Sequence, residues 1–286
     1  MKKFRTEKDS LGSIKVPSKA YYGAQTQRAI QNFEIGWAMD LNLVLPLIIV
    51  KKAAAISNAA QKRLSKKLSN AIIKTCDIIL KNPEQFIDQF PLSVFQSGSG
   101  TQTNMNVNEV IANKANELLG GKLGEYKFIH PNDHVNMSQS TNDTFPTAIL
   151  VGSVINVENN LLPSLDLLKT ALKNKEKEFK SIVKVGRTHL QDATPITLGQ
   201  EFSGYASMIA NDIKRIEETI KECAYLPIGG TAVGTGINTI HGYDKLMTKA
   251  ISDETGFNFK VCANKFELLS SQNAISDLSS RIKICS

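Results

Sequence analysis

The 286-residue sequence predicts a mainly α protein, a long helix bundle preceded by a smaller mixed domain. Three observations carry that prediction. Leu161, Leu165, Leu168 and Leu172 recur at spacings of 4, 3 and 4, the seam of a packed helix. Phe202, Ala206, Ile209, Ile213, Ile216 and Ile220 repeat the device at 4, 3, 4, 3 and 4. No run of strand-like residues is long enough for a major sheet, so two such helices imply an antiparallel bundle. The smaller domain is assigned to residues 1–138 and the bundle to residues 139–286.

In chain order, residues 1–40 carry turn signals at Leu11-Gly12-Ser13 and Val16-Pro17-Ser18 and read as irregular with short pieces of structure. Pro46 is a good first helical residue, and from it to about residue 64 the pattern is helical and rich in alanine. A second helix over about residues 69–81 stops before Asn82-Pro83, because a residue preceding proline avoids the α region. Residues 90–96 read as extended and deliver the chain to Gly98 and Gly100. A third helix follows, with apolar Met105, Val107, Val110, Ile111 and Leu118, and ends at Gly120-Gly121. A polar loop at residues 138–143 enters the next helix, with Pro146 in its first turn. That helix runs to about residue 179 with a bend at Pro163. A third polar loop, residues 186–195, enters a helix over about residues 198–225. Residues 226–238, with Gly229-Gly230 and Gly234-Thr235-Gly236, read as a flexible loop able to close over a site. One helix begins near residue 243, and another runs from about residue 265 to the end.

Composition narrows the function. With 42% hydrophobic and 21% charged residues, the chain has the balance of an ordinary soluble globular protein. Residues 1–10 are polar and lysine-rich, which is unlike a signal peptide, and the apolar run at 41–50 is broken by Asn42 and Pro46. The expectation is therefore a cytoplasmic protein without membrane contact. The net charge of +7 comes without a basic cluster interleaved with aromatics, which argues against nucleic acid. A mild positive field suits an anionic substrate, and it equally describes a lysine-rich surface. Cys76, Cys223, Cys262 and Cys285 form no C-x-x-C pair. Among His130, His134, His189 and His241 the only pair four apart encloses Pro131-Asn132-Asp133, a turn. No metal and no cofactor are expected.

The chemistry is carried by polar loops. Ser97, Ser99, Thr101, Thr103, Asn104, Asn106 and Asn108 are small uncharged hydrogen-bonders gathered where a glycine loop meets a helix. Free N–H groups and the helix dipole make such a start an anion site. Taken alone, it reads first as a well-capped helix after a turn. Its recurrence at Ser138-Gln139-Ser140-Thr141-Asn142-Asp143 and at residues 186–195 shifts the reading to binding. Three such loops would wrap a small, multiply anionic molecule in directional neutral donors. Proton abstraction beside a carboxylate needs that setting, since the carbanion spreads its charge onto the carboxylate; each preorganised donor is worth about two to three decades of rate. His189 is the loop residue able to move protons near neutral pH.

Four motifs together resemble one family. They are Ser97-Gly98-Ser99-Gly100-Thr101-Gln102-Thr103-Asn104-Met105-Asn106, His130-Pro131-Asn132-Asp133-His134-Val135-Asn136, Ser138-Gln139-Ser140-Thr141-Asn142-Asp143 and Gly186-Arg187-Thr188-His189-Leu190-Gln191-Asp192. In order and separation they resemble class II fumarases, the metal-independent fumarate hydratases of the fumarase/aspartase superfamily. The resemblance implies that superfamily's long helix bundle. It also implies a tricarboxylic acid cycle hydro-lyase that adds water reversibly to fumarate to give (S)-malate through an aci-carboxylate carbanion. A homotetramer whose active sites combine loops from three subunits is implied as well. On the matching positions, Ser99, Gly100, Thr101, Ser140, Thr141, Asn142 and Thr188 are implied to bind substrate, and His189 to handle the proton of the water or hydroxyl. His130, Pro131, Asn132 and Asp133 resemble the family's secondary anion site. Thr141 stands where many relatives have Ser, which keeps the hydroxyl.

The family's signature loop, Gly-Ser-Ser-x-Met-Pro-x-Lys-x-Asn-Pro, does not occur in the 286 residues and would lie beyond Ser286. In the family it carries the serine assigned as carbon base and a substrate-binding lysine and asparagine, and a glutamate shortly after it pairs with the histidine. The expectation is a chain that is inactive alone, its bundle incomplete. Aspartate ammonia-lyase is the nearest rival, but relatives of that type carry Gln where this chain has His189 and lack the Ser-Gly-Ser-Gly-Thr-Gln run. Argininosuccinate and adenylosuccinate lyases match the loops poorly. A reading of another class is a non-catalytic fragment that serves as a binding or assembly module.

Overall fold

In the computed structural model, which describes residues 3–286, strand β1 (Phe4–Asp9) pairs antiparallel with β2 (Gly12–Pro17). The segment expected to be irregular is thus a hairpin followed by helix α1 (Ala24–Asn32). Asp9 holds the two together: its carboxylate accepts from Leu11 N in the turn and from Arg28 Nε and Nη2 on α1, at 2.9, 2.8 and 2.9 Å. The start of α1 is capped from far away in sequence. The buried Glu109 carboxylate accepts from Gly23 N, Gln25 N, Thr26 N and Thr26 Oγ1 at 2.6–3.1 Å, so the orphan N–H groups of the first turn are satisfied.

Helix α2 (Leu41–Ala60) starts five residues before Pro46, with Asp40 as its N-cap accepting from Asn42 N. Pro46 sits inside the helix and forgoes one intrahelical bond. By length and hydropathy alone α2 could cross a bilayer. Here it is a core helix: Val44, Leu47, Ile48, Val50 and Ala54 are buried, and it packs on α3 (Lys66–Lys81), α4 (Thr101–Leu118) and α8 (Tyr243–Thr255). Helix α3 begins at the Ser65 cap, three residues earlier than the periodicity indicates, and stops before Pro83 as expected.

The chain separates into two compact units, residues up to 152 with 224–272, and residues 153–223 with 273–286. In the first, residues 224–272 add a short parallel pair, β5 (Tyr225–Leu226) with β6 (Lys260–Val261), then α8 and α9 (Lys265–Ser270). These are units of packing; the division at residues 138/139 concerns where a bundle domain begins and stays a proposal.

The second unit starts inside α5 (Thr141–Asn156), which widens into a π-turn at Val157–Leu161 and continues as α6 (Leu162–Glu178). The irregularity falls just before Pro163 because proline cannot donate to the carbonyl four residues back and its ring crowds that carbonyl. Residues 183–197 depart from expectation. They are no loop but a hairpin of β3 (Val183–Thr188) and β4 (Gln191–Thr197). Helix α7 (Leu198–Cys223) follows close to its expected bounds and packs on α6 and on α10 (Asn273–Cys285). The expected single last helix is two, α9 and α10, broken at Ser271-Gln272. Ala206, Ile216 and Ile220 on α7 and Ala274 and Leu278 on α10 are buried, whereas Leu168 in the α6 seam is 45% exposed. The described residues are mainly helical, in accord with the predicted fold class.

Candidate active site at two helix starts

Gly100 sets the geometry of the first loop. It is the N-cap of α4 with φ 74°, and a Cβ placed there would lie 2.5 Å from the Phe145 ring of α5, so only glycine lets the two helix starts approach this closely. The loop is braced by its own side chains. Ser97 Oγ donates to Gln102 Oε1 at 2.6 Å, and Gln96 Oε1 accepts from Thr103 N at 2.9 Å inside the first turn of α4. The hydroxyls of Ser99 and Thr101 are 3.1 Å apart, and both residues are exposed at the helix start.

The second loop is capped in a reciprocal manner. Ser140 Oγ accepts from Asn142 N at 3.2 Å, and Asp143 Oδ1 accepts from Ser140 N at 3.0 Å, a capping box with Asp in place of Glu. A bond from Asn104 Nδ2 to Thr141 Oγ1, 2.9 Å, ties this loop to α4. Asn142 Nδ2 donates to Ala232 O at 2.8 Å, and Asp143 Oδ2 accepts from Gly229 N and Thr231 N, both at 2.9 Å. The glycine-rich segment expected to be a flexible loop is therefore fastened to the second loop, because Asp143 offers it a buried acceptor. Burial pushes the Asp143 carboxyl up from the ordinary range, and the N–H groups of Ser140, Thr231 and Gly229 with the Thr144 hydroxyl oppose that.

Ser99 of the first loop, Asn142 of the second and Ala232 of the glycine-rich segment thus face one cleft of about 230 Å³, floored by Phe145, Pro146 and Ile149 of α5. Its rim is neutral and rich in donors, and a small dicarboxylate has the size and charge to use it. Of the expected binding residues, Ser99 and Asn142 line this cleft. Gly100, Thr101, Ser140 and Thr141 stand at the same two helix starts but are not among its lining residues. Thr188 and His189 lie in the second unit, at the tip of the β3–β4 hairpin. His189 and Leu190 have φ 52° and 62°, a two-residue turn with both centres left-handed, and both side chains are exposed. His130, Pro131, Asn132 and Asp133 stand at the opening of a single π-turn, where the His130 N–H donates to His134 Nδ1 at 2.8 Å and His130 Nδ1 lies 3.2 Å from Asp133 Oδ2. Among the described residues no group of three or more His, Cys, Asp or Glu side chains is placed to hold a metal ion.

Sequence reasoning placed Asn104 and Asp143 in the polar clusters but gave neither the role of joining the loops. The only available signal was the Ser-x-x-Asp spacing of Ser140 and Asp143, which marks a cap but not the second set of bonds to Gly229 and Thr231.

A protein-family profile described as Lyase matches residues 12–286. Over 280 residues the chain is 51% identical to the mitochondrial fumarate hydratase of Saccharomyces cerevisiae, an alignment that takes in 96% of this chain and 57% of that protein. It is 52% identical over 273 residues to the class II fumarate hydratase of Helicobacter pylori strain J99, covering 95% of this chain and 58% of that one. The crystal structure of recombinant class II fumarase from Schistosoma mansoni superposes with a TM-score of 0.95 at 40% identity, over 99% of this chain and 62% of that chain. The chain thus spans less than two thirds of the length of each of these relatives.

Proposed function

The chain belongs to the lyase family, and on that premise we propose that it supplies the dicarboxylate-binding half of a class II fumarate hydratase. The observation that carries the reading is the joining of two hydroxyl- and amide-rich helix starts into one cleft, with Ser99 and Asn142 facing the same space. In this reading the carboxylates of fumarate accept hydrogen bonds from Ser99, Thr101, Ser140, Thr141 and Asn142, with the helix starts adding their N–H groups. As water adds, negative charge collects on the carboxylate beside the carbanion. Neutral donors fixed in advance stabilise it there without reorganising. His189 moves the proton of the water or hydroxyl, with Thr188 beside it on substrate, and residues 130–133 offer a second, peripheral anion site.

Both His189 and Thr188 are presented on an exposed hairpin tip, which suits a residue that works in a partner's cleft, and a homotetramer is part of the proposal. Exposed apolar side chains on the second unit, Leu167 at 73% and Met208 at 62%, call for cover by further chain, whether of the same copy or another. The proposal includes a soluble, cytoplasmic setting and the absence of nucleic acid or membrane partners. Aspartate ammonia-lyase is the less favoured reading, because the yeast and Helicobacter pylori relatives carry fumarate hydratase names.

The test is made on the protein isolated from its source, with its mass measured and fumarate hydration to (S)-malate followed before and after prolonged chelation. Turnover unaffected by the chelator is the expected result. Loss of activity restored specifically by iron, or ammonia release from aspartate in place of hydration, would overturn it.

A further inference from the structure

Lys51 sits midway along α2 among alanines and is fully buried. An ammonium withdrawn from water is costly unless it is paired and hydrogen-bonded. Its Nζ donates to Asn136 Oδ1 at 2.8 Å and to Gln139 Oε1 at 3.0 Å, two residues of the segment that leads into the second donor loop. The connection continues into the cleft. Asn136 Oδ1 also accepts from Asn104 Nδ2 at 3.3 Å, and the same Asn104 amide donates to Thr141 Oγ1 at 2.9 Å. Asp143, which holds the N–H groups of Ser140, Gly229 and Thr231, is the carboxylate whose charge acts on Lys51. A single buried cation is therefore linked to both donor loops and, through Asp143, to the glycine-rich segment.

We propose that Lys51 is a positioning residue of the cleft, its ammonium fixing Asn136 and Gln139 and through them the Thr141 hydroxyl and the loop of residues 138–142 in the arrangement that receives a dicarboxylate. Its choice of ligand rests on the functional reading above; its geometry does not. A lysine kept merely as packing would leave the loops indifferent to its charge. Two ionisable groups face it, Asp143 from α5 and Cys76 from α3. Burial pulls the Lys51 ammonium down to about 7, against the attraction of Asp143, and burial pushes both the Cys76 thiol and the Asp143 carboxyl upward. As pH rises through that value the amine gives up a donor and its charge, and the loops it holds loosen.

The experiment is amide hydrogen exchange on the full chain between pH 6 and 9, corrected for the intrinsic rate, in the wild type and in Lys51→Met, with (S)-malate as the binding probe read by chemical-shift change. In the wild type, protection at Ser140, Gly229 and Thr231 should fall about tenfold across that range, the scale of one charged hydrogen bond. Lys51→Met should show low protection at those three amides without the pH dependence, keep its α2 and α3 core amides protected, and bind malate about tenfold more weakly. Flat protection in the wild type, or a Lys51→Met variant indistinguishable from it, would overturn the proposal. Should the variant not fold, the wild-type titration decides alone. If neither protein binds malate while the exchange behaves as stated, the dicarboxylate reading fails and the positioning role of Lys51 stands.

Discussion

His189 occupies a backbone conformation that few residues other than glycine and asparagine adopt readily, since its φ is 52° and that of Leu190 is 62°. That fact makes asparagine the cleanest probe of its proposed role: Asn tolerates the left-handed region, so His189→Asn removes the proposed proton carrier and leaves the turn in place. In a complete fumarase-length protein this change should lower turnover by about two to four decades, equivalent to about 3 to 5 kcal/mol of transition-state stabilisation. Substrate affinity should change much less, because the donors at Ser99, Thr101 and Asn142 belong to other loops. His134→Asn is the matched control. His134 Nδ1 accepts from His130 N, an acceptor role that the Asn side-chain oxygen can assume, so that variant should be nearly silent. Steady-state kinetics on both variants decide the matter, and equal losses would remove the catalytic role from His189. Neither the hairpin nor its tip was legible in the residues. A His-Leu pair carries none of the Asn-Gly signal that marks a two-residue turn, and the flanking residues alternate too weakly to announce strands.

At the level of elements, the first hairpin is docked on α1 through the carboxylates of Glu7, which accepts from Ala24 N, and Asp9, which accepts from Arg28. The second of these gives it a distinct response to acid. Asp9 is held below the ordinary carboxylate value of 3.8, chiefly by the hydrogen bonds from Arg28. A group whose folded value is depressed contributes stability that is complete above the unfolded value and disappears as pH falls through the folded one. Asp9→Asn should therefore lower the thermal midpoint at pH 7, and the gap between variant and wild type should close as pH falls below 3.8. A gap independent of pH would show that the Asp9–Arg28 charge pair does not dock the hairpin. What the sequence made readable at this scale were helices whose signals are local. The Asn82-Pro83 stop of α3 and the start of α7 at Leu198 follow from propensity and periodicity. What it hid were caps and ties made over long separations. Glu109 caps α1 from more than eighty residues away, and Lys51 reads in a linear sequence as an ordinary lysine of an alanine-rich helix. The recurrence of polar loops pointed to the two helix starts that share a cleft, whereas the charged groups beneath those loops became visible only through their bonds.

For the molecule as a whole, the question is whether residues 1–286 suffice for the chemistry, and the expected answer is that this polypeptide alone shows no fumarate turnover. In the resembled family the carbon base and the cationic carboxylate ligand come from a signature loop that has no counterpart in these residues, and the chain covers only 57% of its yeast relative. Groups that act as a unit lose most of their effect together when one is missing. The packing agrees with the chemistry. Leu167, Leu168, Met208 and Ile284 of the second unit are 73%, 45%, 62% and 62% exposed. Burying a side chain of that size is worth about 1.5 to 3 kcal/mol, against a total domain stability of about 5 to 15 kcal/mol. A unit with several such positions uncovered is short of partners, and it should self-associate irregularly rather than close into a symmetric tetramer. The check is to purify the 286-residue polypeptide, record its mass in solution by light scattering and follow fumarate absorbance at high protein concentration. An orderly tetramer with measurable hydration would mean that the base lies within these residues and that the exposed seams find their partners in copies of the same chain.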